Sequence, residues 1–216
     1  MQCKQWIFDM DGTLTDSMTA VWRSAPQALL ARFGRTPEPD IAETLLTKGM
    51  QESRTYLIEH YDLPLTPESY DAALLEVINE LYDTVTFKPG AQELLTRLKA
   101  EGAHLCICSN TWEAQCRRVL TRLGVADLFD FFITAQGASS KRFSPVFFEA
   151  MERLGGRDPA HCVVCEDSLY AARTAHEAGF RVLGIADAAS RSDEAALRAN
   201  CEQFVTHWDQ LDWNTL

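Results

Sequence analysis

An α/β fold is what the sequence predicts: a mostly parallel sheet covered by helices on both faces, with a helical bundle inserted into it. Three observations point there. Short apolar runs recur along the chain with helix-period segments between them, the strand signal vanishes from Asp16 to about Val85, and two carboxylates, Asp9 and Asp11, leave the first apolar run inside a glycine turn. Alternating strands and helices imply parallel pairing, because each crossover lays a helix on a sheet face.

The strand-like runs are Trp6–Phe8, Leu105–Cys108, Phe131–Thr134, Cys162–Cys165 and Arg181–Ile185, with a weaker one at Phe204–Val205. Between them, 91–100 has apolar residues at 91, 94, 95 and 98, one helical stripe, and Gly102 stops it. A second helix is expected over 111–123, closed by Gly124. A third spans 145–154, with Ser144 as N-cap, Pro145 at its first position and Gly155-Gly156 at its end. A fourth runs over 169–178 and closes at Gly179. The inserted stretch reads as helices over 17–33, 41–47, 51–61 and 67–83, broken by Gly34–Pro39, Lys48-Gly49 and Leu63-Pro64. Phe87-Lys88-Pro89-Gly90 is the expected return into the sheet, and the tail from Gln203 should pack Trp208 and Trp213 on the core.

A chain of 216 residues is long enough for a sizeable core, and 46% hydrophobic with 24% charged residues is ordinary globular composition. The formal charge of −11 excludes the basic footprint that nucleic acid or an anionic membrane requires, so a small diffusible substrate is expected. No signal-peptide pattern opens the sequence and no apolar run reaches membrane-span length, which predicts a cytoplasmic protein, monomeric or weakly dimeric. The seven cysteines fall mostly in strand-like runs, as reduced core thiols do. Cys162 and Cys165, three apart on a strand, should face opposite sides of the sheet and form no redox pair.

The chemistry concentrates in Asp9-Met10-Asp11-Gly12-Thr13-Leu14. Strand alternation points Asp9 and Asp11 into one cleft at the strand's carboxyl end, where open α/β sheets bind ligands. Two carboxylates that close are tolerated when a divalent cation neutralises them or when one keeps its proton. Phosphoryl transfer through an aspartyl-phosphate needs both. As a bare sequence feature, Asp-Gly would also serve as an acidic turn.

With Ser109-Asn110 after the second strand run, Lys141-Arg142 on a later loop and Glu166-Asp167-Ser168 after a fourth run, the chain resembles the haloacid dehalogenase-like phosphohydrolases from about Gln5 to about Asp187. The resemblance implies a Rossmann-like core over 1–15 and 86–216 and an α-helical cap over 16–85. It implies a Mg²⁺-dependent phosphatase acting on a small phosphorylated metabolite. Asp9 is then the nucleophile, Asp11 the general acid and base, and Asp9, the Asp11 carbonyl and Asp167 the metal ligands, with Glu166 binding directly or through another group. Gly12, Thr13, Ser109 and Asn110 would cradle phosphate, the last two at the start of the 111–123 helix. Lys141 or Arg142 would neutralise Asp9 and the phosphate; residue type favours the first, spacing before Pro145 the second. In the cap, Lys48 beside Gly49 is the residue placed to meet the leaving group, ahead of Trp22, Arg23 and, in the core, Trp112.

A sugar-phosphate mutase of the β-phosphoglucomutase type shares these aspartates. Such mutases tend to carry a His five residues after Asp16 and an Arg three after Gly49, where this chain has Val21 and Glu52, and often Val in place of Thr13. A silent binding domain is the alternative from another class, and the retained carboxylates count against it.

Overall fold

The computed structural model describes residues 3–46, 48 and 50–216. They form two compact units, Met1–Asp16 with Thr86–Leu216, and Ser17–Val85.

The first unit is built on a six-stranded parallel sheet: β1 (Gln5–Phe8), β2 (His104–Ser109), β3 (Phe131–Thr134), β4 (Cys162–Glu166), β5 (Arg181–Ile185) and β6 (Gln203–Val205), in the order β3-β2-β1-β4-β5-β6. Its strands are apolar on both faces because helices cover both. Ile7 packs on one face with Cys106, Cys108 and Val164, while Trp6 and Phe8 lie on the other, their rings stacked 5.9 Å apart. Chain order reverses at β1, which has β2 on one side and β4 on the other, so a crevice opens at their carboxyl ends. Register fixes what meets there. Phe8 pairs with Ile107 and with Cys165, and the Asp9 N–H donates to the Cys165 carbonyl at 3.0 Å, which sets Asp9 level with the end of β4.

The helices of this unit are α5 (Ala91–Ala100), α6 (Glu113–Arg122), α7 (Pro145–Arg153), α8 (Leu169–Glu177) and the short α9 (Glu194–Arg198). In α5 the predicted stripe Ala91, Leu94, Leu95 and Leu98 is buried, each leucine contributing about 1.5–3 kcal/mol of hydrophobic stabilisation. Ser144 stands at the N-cap of α7 but makes no side-chain capping bond. Trp208 is buried and its indole N–H donates to the Thr13 carbonyl at 2.9 Å, tying the tail to the first motif; Trp213 is half-buried under the Arg97 guanidinium. All seven cysteines are free.

The second unit packs α1 (Ala25–Arg32), α2 (Ile41–Leu46), α3 (Met50–His60) and α4 (Pro67–Tyr82) around Val21, Leu29, Leu30, Leu57, Val77 and Tyr82. The single helix expected over 17–33 is interrupted: Met18–Arg23 is a π-helical turn and α1 begins only after Ser24. Pro26 explains the break, since it lacks the N–H that an unbroken α-helix would use and its ring crowds the preceding turn. Thr47 and Gly49, where the sequence placed the end of one helix and part of a loop, lie outside the described residues. At α4 the Thr66 hydroxyl accepts from Ser69 N and Ser69 returns the bond, a capping box. The chain leaves and re-enters the sheet unit at one place. Asp16 N–H donates to the Thr86 carbonyl at 3.1 Å, Thr15 bridges Phe87, and Lys88 N–H donates to the Leu14 carbonyl at 2.8 Å.

Candidate active site

After β1 the chain turns on itself. Gly12 has φ +83°, a left-handed conformation that suits glycine, and the Leu14 and Thr15 N–H groups both donate to the Met10 carbonyl. The Thr13 N–H and the Thr15 hydroxyl add two further bonds to that oxygen. Met10 is thus drawn into the core between Asp9 and Asp11, and both carboxylates are buried beside it.

The two aspartates sit in different surroundings. Asp9 Oδ1 accepts from Lys141 Nζ at 2.7 Å, and the same ammonium donates to Glu166 Oε1 at 2.6 Å. Asp11 Oδ2 accepts from the Thr111 hydroxyl at 2.6 Å. Asp9 is paired with the Lys141 ammonium, and Asp11 accepts from the Thr111 hydroxyl. Of the two adjacent cations, Lys141 is fully buried between two carboxylates, while Arg142 is exposed with its guanidinium 4.8 Å from the Tyr170 ring centre. Spacing before Pro145 pointed to Arg142 and residue type to Lys141; the inward residue is Lys141, which follows the short helical turn Gly137–Ser139.

At the end of β4, Glu166 Oε2 accepts from the Ser168 hydroxyl at 3.0 Å, and Asp167 accepts from Thr13 Oγ1 at 3.2 Å and Ser190 Oγ at 3.4 Å. Burial pushes the Glu166 carboxyl up to about 7 even with Lys141 opposing the rise, and the nearby Asp9 charge adds to it. Burial, followed by the charges of Asp9, Glu166 and Asp187, holds Asp167 well above the ordinary carboxylate range. For Lys141, burial alone would disfavour the ammonium, but Asp9 and Glu166 outweigh it and raise its pKa well above normal. Oxygens of Asp9, Glu166 and Asp167 lie within 4.8 Å of one another. Three crowded, buried carboxylates with one ammonium between them suit a small hard divalent cation, and the residues fit Mg²⁺.

The phosphate cradle differs from expectation. The helix predicted from Thr111 starts at Glu113, so Asn110 and Thr111 precede it. Ser109 Oγ accepts from Thr111 N–H at 3.1 Å, and Thr111 turns its hydroxyl to Asp11. Exposed Asn110 donates its side-chain amide to the Tyr170 hydroxyl at 2.8 Å. Tyr170 and Ser190 are partners that the sequence reading missed; Thr111 was read only as the start of the helix and Ser168 only as the close of the acidic motif. Lys48 belongs to the helical unit, where its Nζ donates to Glu52 at 3.0 Å and lies 5.3 Å from the Tyr56 ring centre. Trp22 is partly exposed and Trp112 well exposed.

A carboxylate pair at the switch point of a parallel sheet, with a buried lysine and a second acidic pair one strand away, defines a class of hydrolase. Residues 6–185 match the haloacid dehalogenase-like hydrolases, and the chain belongs to that family. Several of its relatives are named as phosphatases. It is 26% identical over 181 residues to a bifunctional riboflavin kinase/FMN phosphatase of Arabidopsis thaliana, covering 83% of this chain and 47% of that protein, so the chain spans about half of that relative's length. A Saccharomyces cerevisiae protein described as a probable pseudouridine-5'-phosphatase is 25% identical over 224 residues, covering 97% of this chain and 94% of the relative. In fold, the β-phosphoglucomutase of Clostridium difficile superposes with a TM-score of 0.70 at 21% identity, over 99% of this chain and 95% of that one. No helix among the described residues is long and apolar enough to cross a membrane.

Proposed function

We propose that this chain is a Mg²⁺-dependent phosphatase that hydrolyses a small phosphomonoester through an aspartyl-phosphate formed on Asp9. The observation that carries the reading is the contrast between the two aspartates, Asp9 ion-paired to Lys141 and Asp11 hydrogen-bonded to Thr111. A carboxylate beside an ammonium is placed to attack phosphorus, and one that shares a hydrogen bond with a hydroxyl is placed to carry a proton in and out.

Asp9 attacks phosphorus as Asp11 protonates the leaving oxygen; Asp11 then takes the proton of the water that cleaves the acyl phosphate. Lys141 offsets charge on Asp9 and on the phosphoryl oxygens, and Ser109 with the Gly12–Thr13 backbone holds those oxygens. Asp9, the Asp11 carbonyl and Asp167 would hold the cation. Glu166, whose two oxygens already serve Lys141 and Ser168, acts chiefly by holding Lys141 in place. When bound, Mg²⁺ supplies further positive charge against the phosphoryl group.

The inserted helical unit is assigned the part of a cap that selects the leaving group, with Lys48 as its contact. A small phosphorylated metabolite fits the −11 charge, and the relatives named for FMN and pseudouridine 5'-phosphate support that substrate class. Against the mutase reading stands Val21, buried and without a proton to transfer at the position where such mutases tend to carry His.

The test is turnover of p-nitrophenyl phosphate with Mg²⁺, in wild type and in Asp9→Asn. Wild type should turn over and the variant should not, since an amide is no nucleophile here. Activity in the variant would overturn the covalent mechanism, and an inert wild type would point to the silent binding domain.

A further inference from the structure

Two buried charged residues of the sheet unit take no part in the chemistry described above. Lys88, on the segment returning from the helical unit, keeps 10% of its side chain exposed and Asp187, just past β5, keeps 1%; Nζ and Oδ2 are 2.6 Å apart. Lys88 also donates to the Ala186 carbonyl at 3.1 Å, and Asp187 Oδ1 accepts from Ala189 N–H at 2.8 Å. Burying such a pair is costly, because the desolvation of both ions is only partly offset by their attraction.

Its position gives the pair a task. β5 lies beside β4, with Gly184 opposite Glu166, so the loop after β5 runs behind the second acidic pair. From that loop Ser190 donates to Asp167, and the Asp187 charge acts on the Asp167 carboxyl. The Lys88 ammonium therefore offsets, at 2.6 Å, a carboxylate whose charge reaches the crowded group of Asp9, Glu166 and Asp167.

Building on the metal-dependent reading above, we infer that Lys88 and Asp187 are a positioning pair that sets the charge of the carboxylate cluster and hence its affinity for the divalent cation. Removing Lys88 leaves one more negative charge beside that group, and removing Asp187 leaves one more positive charge. The two single variants must then move cation affinity in opposite directions. A pair that merely braced the return segment would weaken binding whichever partner was lost.

The experiment is calorimetric titration of MgCl₂ into the full chain as wild type, Asp187→Asn, Lys88→Met, Lys88→Arg and the double variant Lys88→Met/Asp187→Asn. Asp187→Asn should weaken Mg²⁺ binding by about tenfold, as a buried uncompensated ammonium near a dication implies. Lys88→Met should tighten it several-fold, and Lys88→Arg and the neutral double variant should lie near wild type. The double variant keeps the test open if an unpaired buried charge prevents either single variant from folding: a neutral pair that bound Mg²⁺ much more weakly would overturn the inference. So would single variants that shift together or not at all. A wild type that takes up no Mg²⁺ would instead overturn the metal-dependent reading, and this inference with it.

Discussion

Lys141 holds two buried carboxylates on one ammonium, and its loss strands both. Lys141→Met should cut phosphatase turnover by roughly 10²-fold or more, the scale of removing one preorganised charge from a reacting centre. Arg142→Ala, which frees only an exposed guanidinium from the Tyr170 ring, should stay within about twofold; kcat and KM of both variants against p-nitrophenyl phosphate decide it. Glu166 makes a pH prediction. Its folded pKa of about 7 lies above the ordinary carboxylate value, so its contribution to stability is full below the unfolded pKa and is lost as pH rises through about 7. Asp167 is shifted in the same direction. Metal-free protein should therefore lose melting temperature between about pH 5 and 8, by roughly 5 °C, and the gain on adding Mg²⁺ should be larger at pH 8 than at pH 5.5. An equal gain at both values would show that the cation does not compete with those protons. Asp9, Asp11 and Asp167 were legible in the sequence because strand ends dictate where they point. The lysine was not, since residue type favoured Lys141 and spacing before Pro145 favoured Arg142, and only the fold shows which of the two is buried. Thr111 escaped for a similar reason: the residue looked like the start of a helix that begins two positions later.

Strands and amphipathic helices were the most readable elements. The runs ending at Phe8, Cys108 and Cys165 had no polar face to show, and buried strands of a parallel sheet have none. The stripe of α5 was legible for the opposite reason, its apolar residues recurring at helical spacing. What the sequence reading did not show was the π-helical turn before α1, where Pro26 at the start of α1 marks the break. Glycines at helix ends divide by what surrounds them. Gly90, at φ +80° before α5, would place a methyl group 2.6 Å from the Asp209 backbone nitrogen, whereas Gly102 at φ +76° would point one into open space. Gly90→Ala should cost about 3 kcal/mol, the left-handed penalty plus a clash that only backbone movement relieves, and Gly102→Ala about 1 kcal/mol. Urea denaturation midpoints of the two variants check the difference.

At the scale of the whole molecule, reaction and selection are assigned to different stretches of chain. Lys48→Ala should lower kcat/KM for the preferred metabolite by about tenfold while leaving p-nitrophenyl phosphate nearly untouched, because a contact with the leaving group matters only when that group is the natural one. Kinetics over a panel of phosphorylated metabolites would show it, and parallel losses on every substrate would remove Lys48 from the selective role. The stitch between Asp16 and Thr86 has a consequence for descent. Because the excursion begins and ends on adjacent backbone, whatever sequence fills it leaves the strand register alone, and with it the spacing of Asp9, Lys141 and Glu166. A gene encoding this chain can therefore exchange its middle segment by crossovers at its two ends, inheriting an intact reaction centre from one ancestor and its helices from another.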